Sequence, residues 1–259
     1  MSEELLHEVK DSVATITFNR PETRNGLTPA YLGRFIELFK WLEADPSVRV
    51  LMLTGAGPDF SSGGDKSFLH NLKTMSSAEV HDVVYGAFLG AVRTVKLCQK
   101  PTVAAVNGAA VGAGCEIAVA CDFRVVTPKS FFHENWTAIG LIPPLGGMYL
   151  LPRLIGLERA SNMIMRAQRV CGEEAIAIGL ASKLTTPEQL PEESRAFALD
   201  LARRSPAALA MAKVGLRRGM EGTLVGAWEF NIMAQGTLIK CDDFAKALDA
   251  MDAKRQPVF

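Results

Sequence analysis

The sequence predicts one α/β domain with a helical C-terminal extension. Strand-like runs alternate with helical periodicity through the first half, periodic helical segments dominate the tail, and no linker or repeat period separates the two parts. The first strand signal is the alternating run over residues 12–19, stopped by Arg20-Pro21. Thr28-Pro29 then reads as an N-cap followed by proline at the first helical position. The helix it opens runs to about Ala44, with Leu32, Phe35, Ile36, Phe39 and Leu42 on one face. Residues 48–54 form a continuous apolar run, as a strand covered on both faces requires. A glycine-rich loop over 55–64, a helical stretch at 77–97 and a buried strand at 102–106 follow, and another glycine-rich turn leads into a helix near Cys115. Residues 123–126 and 130–132 are strand candidates around Pro128. Beyond Gly147 helical segments are predicted at about 157–167, 173–179, 188–204, 206–219, 221–237 and 241–253.

Composition narrows the function classes. The 259 residues are 48% hydrophobic and 22% charged, which suits a chain that buries a large core and needs no disulfide staples. Lys plus Arg equals Asp plus Glu at 28 each, so no strong field for nucleic acid or an acidic membrane is expected. The Met-Ser-Glu-Glu start lacks the pattern of a signal peptide, and the apolar stretch 102–121 is broken by Asn107, glycines and Glu116. Five scattered cysteines without a CxxC pair point away from disulfides and zinc, and toward a cytoplasmic location.

Most common site motifs fail. Gly112-Ala113-Gly114 begins like a dinucleotide fingerprint, but Ile117 holds the third glycine position. There is no P-loop, no GxSxG elbow, and no ligand spacing among His7, His70, His81 and His133. Two strand-to-glycine turns remain, one leading to Phe60-Ser61-Ser62-Gly63-Gly64-Asp65 and one to Gly112-Ala113-Gly114-Cys115-Glu116. Such turns expose backbone N–H groups at a helix start, and two of them converging can hold an oxyanion. Glycines also simply permit tight turns. Glu116 is a carboxylate in an otherwise apolar helix, which calls for either a catalytic role or a structural ion pair.

These residues resemble the enoyl-CoA hydratase/isomerase (crotonase) superfamily. The resemblance rests on Asn19-Arg20-Pro21-Glu22, the two glycine turns, Lys100-Pro101, Cys121-Asp122, Gly140-Leu141-Ile142-Pro143-Pro144-Leu145-Gly146-Gly147, Ser205-Pro206 and the tail Lys254-Arg255-Gln256-Pro257-Val258-Phe259. It implies a crotonase-like spiral of β-β-α turns over residues 1–200 and a helical C-terminal trimerisation region over 201–259. It also implies an acyl-CoA thioester substrate whose carbonyl is polarised by the amides of Gly64 and Ala113, in a homotrimer or a dimer of trimers. Coenzyme A enters as part of the substrate, with no permanently bound cofactor and no metal. By the same resemblance Arg24, Lys66 and Ser62 lie toward the nucleotide, while Trp136, Glu134, Phe68 and Pro144 line the acyl pocket. Asp65 is expected to serve the loop.

The resemblance departs at one position. Hydratases of this family use two glutamates; Glu116 matches the first, but the second falls four residues before Gly140, where this chain has Trp136. An indole donates one N–H and accepts no proton. In an extended stretch Glu134 would share the face of Trp136 but lie about 7 Å away along the chain. A single base then fits isomerisation of a 3-enoyl to a 2-enoyl thioester best, Glu116 moving the proton between C2 and C4. The alternatives are hydration with Glu134 as a non-standard second acid, and a catalytically decayed acyl-CoA-binding paralogue.

Overall fold

The computed structural model describes residues 4–259. Two strands open the chain, β1 (Leu5–Lys10) and β2 (Val13–Phe18), followed by α1 (Pro29–Ala44), β3 (Val50–Gly55) and α2 (Lys66–Asn71). Next come α3 (Ser77–Val83), a π-helical turn over 84–89, α4 (Gly90–Leu97), β4 (Thr102–Val106), β5 (Ala109–Val111) and α5 (Ala113–Ala120). β6 (Phe123–Val126), β7 (Phe131–His133), α6 (Gly147–Ile155), α7 (Leu157–Met165), β8 (Val170–Cys171), α8 (Gly172–Ala177) and β9 (Lys183–Leu184) complete the body. The tail is α9 (Leu190–Ala202), α10 (Pro206–Glu221), α11 (Leu224–Leu238) and α12 (Asp242–Asp252).

A six-stranded sheet runs β1-β2-β3-β4-β6-β9 and a three-stranded one runs β5-β7-β8. β4 and β6 pair in the large sheet while β5 and β7, the strands that follow each, pair in the small one. Each turn of chain thus deposits one strand in each sheet, which makes the architecture a spiral. The period-2 alternation of β3 explains its continuous apolar run. Leu51 and Leu53 join the core under α1, whereas Val50 and Met52 face the opposite layer, with Leu190 and Ala198 of α9. Under α1, Phe35 meets Phe18 at 5.5 Å and Phe39 at 5.7 Å between ring centroids. Each such buried ring contributes about 2–3 kcal/mol over its exposed state. Thr28 caps α1 by accepting from the Tyr31 N–H at 3.3 Å, as the sequence predicts.

Several elements differ from the sequence reading, among them β1, α2 and β5, which it does not contain. The helix predicted at about 157–167 is α7, and α6 precedes it unpredicted, its helical pattern interrupted by Pro152. The predicted helix over 77–97 is three pieces rather than one, divided by the π turn. Strands β8 and β9 hold two residues each, too few to show a period.

The tail behaves unlike the body. α10 and α11 bury no residue, and α12 buries only Ala250. Lys213 anchors α10 through Asp122 at 2.6 Å and the Lys100 carbonyl at 3.0 Å. Beside this anchor a groove of about 660 Å³ separates α10 from the body, lined by Leu89, Val92, Tyr149, Leu150 and Leu216.

Candidate active site

The two glycine turns predicted to converge run side by side. Ser61 bridges Ala110 in parallel, with Ser61 N–H donating to the Ala109 carbonyl at 2.9 Å and Val111 N–H to the Ser61 carbonyl at 3.0 Å. From this bridge the two turns run on together, so that Gly63, next to Gly64, lies against the Val111–Ala113 backbone. Gly63 makes the approach possible: its φ is +85°, and a Cβ there would stand 2.5 Å from the Val111 oxygen and 3.4 Å from the Ala113 nitrogen. Among the described residues, neither the Gly64 nor the Ala113 amide donates to a protein acceptor. Ala113 is the first residue of α5, where the N–H has no intrahelical partner and the helix dipole is positive. Two free amides at such a position can hold a developing oxyanion.

All eight residues of α5 are buried, Glu116 among them. No cation pairs with it among the described residues, so the structural ion pair weighed from the sequence is absent. Its Oε2 instead accepts from the Leu145 N–H at 3.0 Å and the Gly147 N–H at 2.6 Å, leaving Oε1 without a partner. The loop 140–147 exists to present those amides, and Pro144 lies in it between the turn at Gly140 and the donor at Leu145.

Glu134 stands opposite. The extended reading of 134–136 is corrected here: β7 ends at His133, and Trp136 takes the right-handed helical conformation (φ −59°, ψ −45°) at the start of a short 3₁₀ turn. This turn folds the indole back, so that Trp136 Nε1–H donates to Glu134 Oε2 at 2.8 Å. Glu134 is fully buried, and its Oε1 is also unpartnered. A Cβ built on Gly147 would lie 3.2 Å from Glu116 Oε2 and 3.3 Å from Glu134 Oε1. Both carboxyl groups therefore close on one point, and the one-carboxylate premise behind the isomerase expectation falls.

Burial is the main force on both groups. It raises the pKa of Glu116 well above the usual carboxylate range, the neighbouring Glu134 raises it further, and the two amides partly oppose this. Burial pushes Glu134 up to about 7, against the lowering effect of hydrogen bonds from Cys115 and Trp136. Two buried carboxyls this close do not both ionise at neutral pH, so one proton resides on the pair.

The remaining predicted residues separate into those near the pair and those committed elsewhere. Trp136 presses its ring edge against Gly112, 3.5 Å from where a Cβ would sit, next to the Ala113 amide. Phe68 is buried and stacks on Phe88 at 5.1 Å. Arg24 pairs its guanidinium with Asp59 at 2.6 and 3.1 Å while its side chain stays 59% exposed. Ser62 donates from its hydroxyl to the Thr23 carbonyl at 3.1 Å. Lys66 is exposed at the start of α2. Asp65 caps that helix through Ser67 and pairs with Arg20, a loop role. The residues that sequence reasoning undervalued are Leu145 and Gly147, whose backbone donors carry no side-chain signature.

A spiral of paired sheets carrying two free backbone amides beside buried acids is the architecture of the crotonase class of enzymes. The family model described as enoyl-CoA hydratase/isomerase matches residues 8–259, and the chain belongs to that family. It is similar to the short-chain-enoyl-CoA hydratase of Clostridium acetobutylicum, with 32% identity over 96% of this chain and 94% of the relative. The crotonyl-CoA hydratase of Syntrophomonas wolfei is 31% identical over 99% of this chain and 98% of its own length. The crystal structure of enoyl-CoA hydratase from Bacillus anthracis superposes with a TM-score of 0.94, at 28% identity and 99% coverage of both chains.

Proposed function

We propose that the protein hydrates 2-enoyl-CoA thioesters, using Glu116 and Glu134 as its two carboxylates and the Gly64 and Ala113 amides as its oxyanion hole. The observation that carries this reading is the convergence of the two carboxyl groups at Gly147. Relatives named as hydratases support it.

The step balances as follows. Water lies between the carboxyl groups, and Glu116 takes its proton as the oxygen bonds to C3. The C2–C3 π electrons move into the thioester, whose oxygen gains negative charge beside the Gly64 and Ala113 amides. Glu134 then delivers its proton to C2, giving a 3-hydroxyacyl thioester. Glu116 is assigned the base's role on geometry: two backbone amides hold its Oε2 in place, while Glu134, held by the indole N–H and pushed up to about 7, supplies the proton. The next water replaces what was consumed, and the proton returns from Glu116 to Glu134.

The substrate's nucleotide would meet Lys66 and the Asp59-bound Arg24. Phe68 and Trp136 bound the apolar side, and the active assembly is a homotrimer or a pair of trimers formed through the tail. The buried free cysteines Cys98, Cys115 and Cys121 support a reducing, cytoplasmic setting. The test is the loss of conjugated-thioester absorbance with 2-enoyl-CoA. Turnover lost in Glu116→Gln and in Glu134→Gln supports the reading; full hydration by either variant overturns it.

A further inference from the structure

Resting on the hydratase reading above, we infer that Trp136 is a positioning residue that fixes the Glu134 carboxyl and keeps its free oxygen turned toward the reaction. Trp136 stands two residues after Glu134 and holds that acid through its indole N–H. The indole N–H is a donor that never titrates in water, so it can orient a carboxyl without competing for its proton. By engaging Oε2 at 2.8 Å it leaves Oε1 as the oxygen facing Gly147 and Glu116.

Two features make the device rigid. The 3₁₀ turn sets the direction of the indole, since the Ile139 N–H donates to the Trp136 carbonyl at 3.0 Å and the Leu141 N–H to the same carbonyl at 2.9 Å. The ring is packed against the main core and against Gly112, whose φ of +52° and missing Cβ admit it. The groups facing Glu134 are few: Glu116 and Cys115 from α5, the Gly147 backbone from α6, and the indole from its own segment. Nothing cationic is among them. Without the indole, the carboxyl is free to rotate and to pass its proton directly to Glu116, a closed pair in which neither group addresses substrate.

The hydrogen bond favours the ionised form of Glu134, so its removal raises the pH at which that group gives up its proton. In Trp136→Phe, kcat for hydration should fall by about tenfold to a hundredfold with KM nearly unchanged. The basic limb of the pH–rate profile should move upward by about one pH unit. A readout without turnover uses indole fluorescence of the free enzyme. Wild type should show a component titrating near pH 7 that is absent from Glu134→Gln, Trp41 and Trp228 being common to both and exposed. A pH-independent fluorescence difference, or a Trp136→Phe profile whose limb does not move while Glu134→Gln is inactive, overturns the positioning role and leaves the hydratase reading intact. Full hydration by Glu134→Gln instead removes that reading, and this inference with it.

Discussion

Glu116 and Glu134 come from different turns of the spiral and both approach Gly147, each with one oxygen held and one free. The held oxygen of Glu116 is fixed by backbone, that of Glu134 by an indole. Two acids with different restraints in one dry site can hold different protonation states, which is what addition of water across a double bond requires.

The first prediction follows from that division of labour. Glu116→Gln and Glu134→Gln should each lower hydration by about 10²–10⁴-fold, and the double variant by far less than the product of the two. Isomerisation of a 3-enoyl thioester needs only one base. Glu134→Gln should therefore retain more of any 3-enoyl to 2-enoyl turnover than of hydration, read from the appearance of the conjugated absorbance. Equal loss of both activities would show that Glu116 does not move protons alone.

The second concerns stability against pH. Glu134 is pushed up to about 7 in the folded chain from an ordinary 4.5, so the native state binds the proton more tightly than the unfolded state. Unfolding then releases a proton between those values, and stability falls as pH rises through that window. The cost at pH 8 is on the order of 3 kcal/mol. Glu134→Gln removes it, so its thermal midpoint should exceed that of wild type at pH 8 and lose that advantage at pH 4. An advantage that does not change with pH would contradict burial as the cause.

Much of the fold is legible in the sequence because burial imposes a period. The α1 face, the two-sided β3 run and the apolar α5 each give a pattern that only one element satisfies. Glu116 was legible for the same reason, as a charge where the pattern demands none. Glu134 was obscured because its placement depends on where β7 stops. One helical residue at Trp136 converts a 7 Å offset along an extended chain into a hydrogen bond, and no local propensity marks that change. The Leu145 and Gly147 donors were invisible since any residue type supplies an N–H.

Gly147 offers a probe of spacing. In Gly147→Ala the new methyl would stand 3.2 Å from Glu116 Oε2, 3.3 Å from Glu134 Oε1 and 3.3 Å from the Pro143 Cβ. Each neighbour has to yield a few tenths of an ångström, and the water site between the acids is narrowed. Hydration should drop by about 10-fold to 100-fold, as a misplacement approaching 1 Å does. The melting temperature should fall by less than a core cavity would cost, because the neighbours need to move only a few tenths of an ångström. An unchanged kcat would place the reacting water away from this point.

The last prediction concerns the tail. α10 and α11 bury nothing within their own chain, yet Leu216, Leu224, Trp228, Ile232 and Met233 are each more than half exposed. Such an exposed apolar face on adjoining helices is expected to serve association. Ile232 and Met233 are 73% and 75% exposed, so replacing both with Glu breaks no intrachain packing. The double variant should fold, since the body's two apolar clusters lie elsewhere. Light scattering should give a trimer or hexamer mass for wild type and a monomer mass for the variant. An oligomer that survives two buried charges per chain would place the interface on another face, because each unpaired charge in a closed contact costs several kcal/mol.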